Sequence, residues 1–402
     1  MLDDLGGSNA GKVLVYRMAG QQWEPMGGAV LGVAGERLGY GVAINSDGTI
    51  LASQNHPYGG AGAYYVHRFH KATEQWVPMG QAIADANGKP GGLDISDSGT
   101  RIVVGSNLGN YVRVYDFDEQ SQQWVQVGST LTGTNYFGRN VTINAGGDTI
   151  GVVASDYRVG AADGYAEIYR WDTNSSDWAQ AGSAIPAHGS SSYLIQIQLS
   201  DDGNTVALSD IYNLNNQPGF VRAYHFDGDS NDWLLHGNVI SGDANGDWFG
   251  HDLSLSGDGQ RLVASGYLGS LNSPDDGYVR AYNYNVNDSR WDMAFEWSGE
   301  SGNHFGHSVS MNGEGTVFAA GSTHYNGNAG RVAVFSQSRH LTLFEDTGEV
   351  QIGLNSIGAG GGESQPLKVT AASDNTSLIP HPPVTYTSAE ATGSLKFTPV
   401  AD

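Results

Sequence analysis

Short runs that alternate apolar and polar residues, bounded by Gly, Asn, Asp or Ser, fill most of the first 345 positions, with no helical spacing of apolar residues between them. One run recurs seven times: Gly11–Tyr16, Gly62–His67, Asn110–Tyr115, Gly164–Tyr169, Gly219–Tyr224, Gly277–Tyr282 and Gly330–Phe335. Its β-branched and aromatic residues predict a short strand. Six of these runs are followed by a tryptophan (Trp23, Trp76, Trp124, Trp178, Trp233, Trp291), with an aromatic residue seven positions before each: Tyr16, Phe69, Phe117, Trp171, Phe226 and Tyr284. That spacing predicts a hairpin in which the two rings pack across the strands. A further alternating run opens with Phe-Gly or a relative and closes in an Asp-Gly turn, as in Phe249–Gly259; Phe137, Tyr193, Phe249 and Phe305 start it at intervals of 56 residues. A small apolar strand follows each turn, for example Arg261–Ser265 or Thr316–Ala320.

The unit is therefore four antiparallel strands in roughly 50 residues, the length and content of a propeller blade. A lone blade cannot bury both faces, whereas blades stacked about an axis cover one another. The predicted fold is all-β: a seven-bladed β-propeller of four-stranded antiparallel blades, favoured over a six-bladed one. Six units are complete, and the N-terminus supplies only the last two strands of the seventh, Lys12–Tyr16 and about Gln22–Met26. Glu349–Leu354 is the candidate for its missing strands. At the Asp-Gly positions a two-residue hairpin turn is expected, which needs no metal because both residues tolerate positive φ.

The order Phe-Gly, Asp-Gly, Gly-x-Val-x-Val-Tyr, over about residues 11 to 345, resembles the FG-GAP repeats of integrin α-subunit propellers and of many secreted microbial proteins. That resemblance implies calcium loops of the form Asp-x-Asp-x-Asp-Gly between the first two strands of a blade. The loops here depart from it: Asn45–Gly48, Ser96–Gly99, Ala145–Asp148, Ser200–Gly203, Ser256–Gly259 and Asn312–Gly315 hold too few carboxylates to balance the ion.

From about Gly348 the period is lost, and a glycine run, Gly358–Gly362, intervenes. Leu367–Ala371, Pro383–Thr387 and Gly393–Phe397 alternate between turn formers, which predicts a small β-sandwich and divides the chain at 1–345 and 346–402. Gly360–Leu367, Val384–Ser388 and Phe397–Asp402 look like the bacterial Ig-like repeats of very large surface proteins. The resemblance implies a further Thr/Val-rich strand after Asp402, so the sandwich is expected to be incomplete. Two expectations compete: the chain is a piece of a longer polypeptide, consistent with its start in mid-blade, or a strand exchanged from another copy completes the edge and links protomers head to tail.

Charge narrows the partners. Forty-two acidic against nineteen basic residues give a net charge of −23, which repels phosphate backbones and excludes nucleic acid. No run approaches the length of a membrane helix, so no membrane insertion is expected, and the absence of cysteine rules out disulfides and thiolate sites. Met1-Leu2-Asp3-Asp4 has no basic or apolar leader pattern, and a leader is expected to have been left out. Candidate chemistry is sparse. Asp243, Asn245 and Asp247 alternate as in half of a calcium loop, without a distal Glu, and make calcium the one cofactor candidate. Arg113, Arg222 and Arg280 share one blade position, which suits either a ring of guanidiniums for an acidic sugar or pairing with acidic neighbours. His304 and His307, three apart on a strand, are expected to face opposite ways, with His251 in another blade, as packing residues rather than metal ligands. Asn140, Asn174, Asn287 and Asn375 head glycosylation-type triplets. There is no Gly-x-Ser-x-Gly, P-loop, His-Glu-x-x-His or dinucleotide motif. The expected function is a non-enzymatic extracellular or cell-surface interaction module, part of an adhesin or filament, with propeller loops binding a protein or glycan. The alternative is a lectin or glycan-active enzyme working in the propeller funnel.

Overall fold

The computed structural model describes residues 7–19, 22–57, 61–85, 89–156, 164–188, 192–212, 218–269, 275–336, 350–354, 371, 380–388 and 393–398. The chain forms two compact units, Met1–Gln337 and Ser338–Asp402. The first is a β-propeller of six blades. Each of the first five is an antiparallel sheet of four strands in sequence order, three of them carrying a short extra strand, and the sixth has three strands. The inner strands Gly41–Ile44, Pro90–Ile95, Asn140–Ile143, Ser192–Leu199, Phe249–Leu255 and Phe305–Met311 adjoin in that order, and no comparable contact joins the sixth to the first.

The core is a series of interfaces between neighbouring blades. Leu253 and Leu255 of the fifth blade pack on Ala207, Val221 and Ala223 of the fourth. Val309 and Phe318 of the sixth likewise meet Val263, Val279 and Ala281 of the fifth. Alternation with period 2 places these residues on one face of each strand. The predicted ring pairs form in the first five blades: Phe69–Trp76, Phe117–Trp124, Trp171–Trp178 and Phe226–Trp233 at 5.3 Å between centroids, and Tyr284–Trp291 at 5.4 Å. Each indole Nε1–H also donates to a carbonyl of the preceding repeat, as Trp124 does to Met79 at 2.7 Å and Trp233 to Ala181 at 2.8 Å. At the N-terminus the spacing misleads: Trp23 pairs with Met18, and Tyr16 pairs with Pro25.

Four other expectations are corrected. A seventh four-stranded blade does not form among the described residues; the N-terminus contributes two two-stranded ladders, Lys12–Val13 with Val30–Leu31 and Tyr16–Ala19 with Gln22–Pro25. Val350–Leu354 does not serve as a blade strand, because it pairs with Gly393–Phe397 in the second unit. Among the described residues that unit shows one three-stranded sheet, completed by Val384–Tyr386, where a sandwich was expected; Leu367–Thr370 lie outside the described residues. In the Asp-Gly turns only the glycine has positive φ, as at Gly48 (71°) and Gly259 (67°), and its N–H bonds the carbonyl three residues earlier. The Asp47 and Asp258 carboxylates instead accept from the backbone two residues on, at 2.9 Å each, so they serve as turn caps.

Candidate functional site

Two left-handed residues bracket the large apolar residue that leads into an inner strand, Leu38, Phe137, Phe249 or Phe305. The glycine after it has φ of 89° at Gly39 and Gly138, 84° at Gly250 and 85° at Gly306, a region that glycine enters freely. The residue before it is also left-handed although it carries a side chain: Arg37 (55°), Tyr136 (60°), Trp248 (54°) and His304 (52°). Non-glycine residues rarely adopt this conformation. The kink sets a large side chain beside the loop between the second and third strands of a blade.

At the junction of the fifth and sixth blades this arrangement gathers an aromatic and imidazole cluster. Tyr267, which follows the second strand of the fifth blade, lies 4.1 Å from the His251 ring, 5.3 Å from His307, 5.6 Å from His304 and 5.8 Å from Trp248. His251 and His307 are 5.2 Å apart, and His304 and His324 are 4.0 Å apart. His304 and His307 thus converge on one tyrosine; the left-handed kink at His304 defeats the simple strand alternation that set them on opposite faces.

Burial, and then the neighbouring His307, pushes the His251 imidazole down to about 4. His304 and His307 are also held below the ordinary histidine value, first by burial and then by the other imidazoles. All three rings are therefore neutral at physiological pH, each with one nitrogen lone pair. His251 Nδ1 is buried without a hydrogen-bond partner. Burial raises the Tyr267 hydroxyl, which keeps its proton. Below the cluster, Asp252 accepts from the Leu253 N–H at 3.0 Å and from the Val309 N–H of the next blade at 2.8 Å. Burial between the inner strands nevertheless raises its carboxyl to about 7.

The junction of the second and third blades uses the same frame with other side chains. Asn107, Leu108 and Asn110 from one blade and Asn135, Tyr136 and Asp156 from the next line a pocket of about 220 Å³. Asn107 Oδ1 is buried with no partner. Asp94 lies on the inner strand here and accepts from the Ile95 and Ile143 N–H groups at 2.8 and 2.9 Å and from the Thr142 hydroxyl at 3.0 Å; burial raises it to about 6.

The residues singled out in the sequence lie elsewhere. The Arg280 guanidinium bonds both Asp243 oxygens and Glu296 Oε2, the last at 2.6 Å. Asp247 is buried and accepts from the Ala244 N–H at 2.9 Å and the Tyr278 hydroxyl at 3.1 Å, while Asn245 is exposed. The proposed calcium loop is thus occupied by an internal ion pair, and among the described residues no group of three or more carboxylates or imidazoles is arranged to hold a metal. Arg222 forms a buried pair with Asp210 at 2.8 Å, and Arg113 donates to Thr130 Oγ1 at 3.1 Å over the Tyr111 ring. The three arginines are engaged within three different blades. Trp248, Tyr267 and His324, and the whole Asn107–Tyr136 pocket, carried no motif; the available signal was the large residue standing before each aromatic-Gly pair.

No family model matches the chain, and no curated protein does so either. Many solved structures match in fold. A Bacteroides uniformis protein provisionally named a 6-phosphogluconolactonase is 12% identical with a TM-score of 0.56, covering 80% of this chain and 90% of its own. The periplasmic gluconolactonase of Pseudomonas aeruginosa is 14% identical with a TM-score of 0.53, covering 83% and 97%. Kuenenia stuttgartiensis hydrazine synthase is 15% identical with a TM-score of 0.52, covering 79% and 88%. At such identities the likeness carries the fold. It also corrects the expectation of a non-enzymatic module, which rested on the lack of a catalytic motif: structures of this fold include proteins named as lactonases.

Proposed function

We propose that this protein is a carbohydrate-active propeller enzyme that opens sugar lactones with water at the junction of its fifth and sixth blades. The observation that carries this reading is the set of neutral imidazoles of His251, His304 and His307 around the protonated Tyr267 hydroxyl. Lactone hydrolysis asks for these groups. His307, exposed at the rim, takes a proton from water as the water oxygen bonds to the lactone carbonyl carbon. Tyr267 donates a hydrogen bond to the carbonyl oxygen as it gains negative charge. The ring C–O bond then breaks, and the imidazolium returns its proton to the leaving alkoxide, giving the open-chain hydroxy acid. Trp248 offers a flat apolar face for a sugar ring. The lactonase names among the proteins of similar fold support the substrate class. The acidic, lysine-poor composition and the resemblance to FG-GAP repeats support a site of action outside the cytoplasm.

Acid release from glucono-δ-lactone in weak buffer, corrected for spontaneous opening, tests the reading. Turnover above the blank that falls by about 100-fold or more in both His307→Gln and Tyr267→Phe is expected. Turnover no faster than the blank, or unchanged in both variants, would sink it. One observation favours a second activity, saccharide binding without turnover: the Asn107–Tyr136 pocket, whose amides, carboxylate and phenol suit hydroxyl groups. Asn107→Ala should then lower affinity for neutral monosaccharides in a calorimetric titration.

A further inference from the structure

The chain holds Asn-x-Ser or Asn-x-Thr triplets at Asn140, Asn174, Asn287 and Asn375, and the fold treats them differently. Asn140 opens the inner strand of the third blade. Its Nδ2 donates to the Ile195 carbonyl at 2.9 Å and to Gln196 Oε1, both of the fourth blade. The Thr142 hydroxyl two residues on is 1% exposed and donates to Asp94 Oδ2 of the second blade at 3.0 Å. Amide and hydroxyl of this triplet thus tie three inner strands together, and a substituent on the amide would break bonds that the enclosed partners need. Asn375 lies outside the described residues.

Asn174 and Asn287 occupy one position in two blades. Each is the second residue of a four-residue loop between the third and fourth strands: Thr173–Ser176 in the third blade, closed by the pair Asp172 and Asp177, and Val286–Ser289 in the fifth, closed by Asn285 and Arg290. Every residue of both triplets is exposed. The Asn174 amide donates to Asp172 Oδ1 of its own turn at 3.1 Å, a surface bond that water can replace. The turn itself does not ask for these residues. The matching loops of the first, second and fourth blades carry Ala72, Gln120 and Asp229 at the asparagine position. All five loops close through a left-handed fourth residue: Glu74 (51°), Gln122 (55°), Ser176 (53°), Asn231 (53°) and Ser289 (49°). Asparagine enters that region most readily of these, and the fourth blade uses it. The third and fifth blades carry serine there instead, which the turn alone does not favour and which sets a hydroxyl two residues after the amide.

We propose that Asn174 and Asn287 are acceptor sites for an asparagine-linked oligosaccharide, transferred from a lipid-diphosphate donor by an enzyme that reads the hydroxyl two residues on. In that step the asparagine Nδ2 bonds to C1 of the first sugar. The bond from C1 to the diphosphate oxygen breaks, its electron pair leaves with the diphosphate, and one amide proton passes to a base of the transferase. The proposal rests on the reading above that puts the protein outside the cytoplasm, and it is independent of the lactone chemistry. A hairpin loop at the end of a blade can bend into a transferase while its closing strand pair stays formed. A glycan on Asn140 would instead have to lie between the inner strands of the third and fourth blades, so a closed propeller does not carry one there.

The test secretes the full chain from a eukaryotic host behind a leader that is removed on entry, so that compartment, transferase and donor are supplied. Folded protein from the medium is digested and treated with peptide-N-glycosidase in heavy-oxygen water, which turns each glycan-bearing asparagine into a labelled aspartate in the mass spectrum. Label at Asn174 and Asn287, and none at Asn140, is expected. Ser176→Ala and Ser289→Ala should each abolish label at the asparagine two residues before, and Ser176→Thr should keep it. These exposed changes should leave the melting temperature of the unglycosylated chain within about 1 °C of the parent, which separates lost recognition from lost fold. A second measurement offers the folded, unmodified chain to purified transferase and lipid-linked donor, with the same pattern expected. Asn174 and Asn287 unlabelled in both measurements overturn the proposal, and so does label at Asn140 in the folded chain. The organism's own protein tells this failure from that of the underlying reading. Label in the host-made chain but not in the native one removes the location outside the cytoplasm, and the proposal with it; no label in either, with the native chain found outside the cell, removes the proposal alone.

Discussion

The junctions of the second with the third blade and of the fifth with the sixth share a backbone and differ in side chains. Both are entered through a left-handed residue before Phe-Gly, Tyr136 in one and His304 in the other. Both receive a loop from the preceding blade, Asn107–Asn110 in one and Tyr267 in the other. Both place an enclosed aspartate on the neighbouring inner strand, Asp94 and Asp252. One frame thus presents an amide-lined pocket, and the other a neutral imidazole cluster with a phenol. The repeat fixes where a side chain can act, and the residues at those few positions decide whether the junction binds or reacts.

The sharpest way to break this contrast is to change the residue after Phe-Gly at each junction. His307→Gln should lower kcat/KM for a sugar lactone by about 100-fold or more, whereas Arg139→Gln at the other junction should leave it within about twofold. Equal losses would mean that the two junctions are not chemically distinct.

A backbone difference comes next. A Cβ placed on Gly105 would stand 2.1 Å from the Gly138 carbonyl oxygen, while the fifth blade carries Ser265 at the same register. Gly105→Ser should therefore destabilise the protein by about 2–3 kcal/mol in urea unfolding, because backbone rather than a movable side chain blocks the new group. A neutral outcome would show that the two junctions tolerate the same spacing.

The two enclosed aspartates give a difference in pH. Asp252, raised to about 7, binds a proton in the folded chain that it has released in the unfolded chain above about pH 4. Its contribution is complete below about pH 4 and is lost as pH rises through 7. His251, lowered to about 4, acts in the opposite sense: its contribution is present above about 6.5 and is lost as pH falls toward 4. Comparing Asp252→Asn with the parent removes the histidine effect. The variant should gain relative stability as pH rises from 4 to 7, by at most about 1.4 kcal/mol per unit, and then level off. For Asp94→Asn the gain should level off near pH 6, since the Thr142 hydroxyl adds a third donor to that carboxylate. Urea midpoints across that pH range would show whether the two profiles separate.

The blades were legible in the sequence because each repeat writes its strands as alternation and its hairpins as the aromatic–Trp spacing, and five of those ring pairs formed. The site was not legible, for a physical reason. Tyr267 meets His304 and His307 across a blade interface, and His304 and His307 meet only because one non-glycine residue turns left-handed. Neither fact has a fixed spacing in the chain. Asp243 and Asp247 show the converse failure: their alternation suits calcium, but Arg280 and Tyr278, from a neighbouring strand, already satisfy them. The seventh blade failed as an expectation because sequence supplied its outer strands and a plausible inner one, Glu349–Leu354, whose partner lies in the other unit.

The smallest contrast lies between a complete blade and the N-terminal half-blade. Trp124 is 3% exposed, packs on Phe117 at 5.3 Å and donates its indole N–H to the Met79 carbonyl. Trp23 holds the matching place in the sequence but is 48% exposed and stands opposite Met18. Trp124→Phe strands the Met79 carbonyl and leaves a small gap, which should cost about 1–2 kcal/mol. Trp23→Phe loses neither a buried bond nor a filled space, so its effect should stay within about 0.5 kcal/mol. If Trp23→Phe costs as much as Trp124→Phe, the N-terminal ladder is packed in solution as a finished blade is.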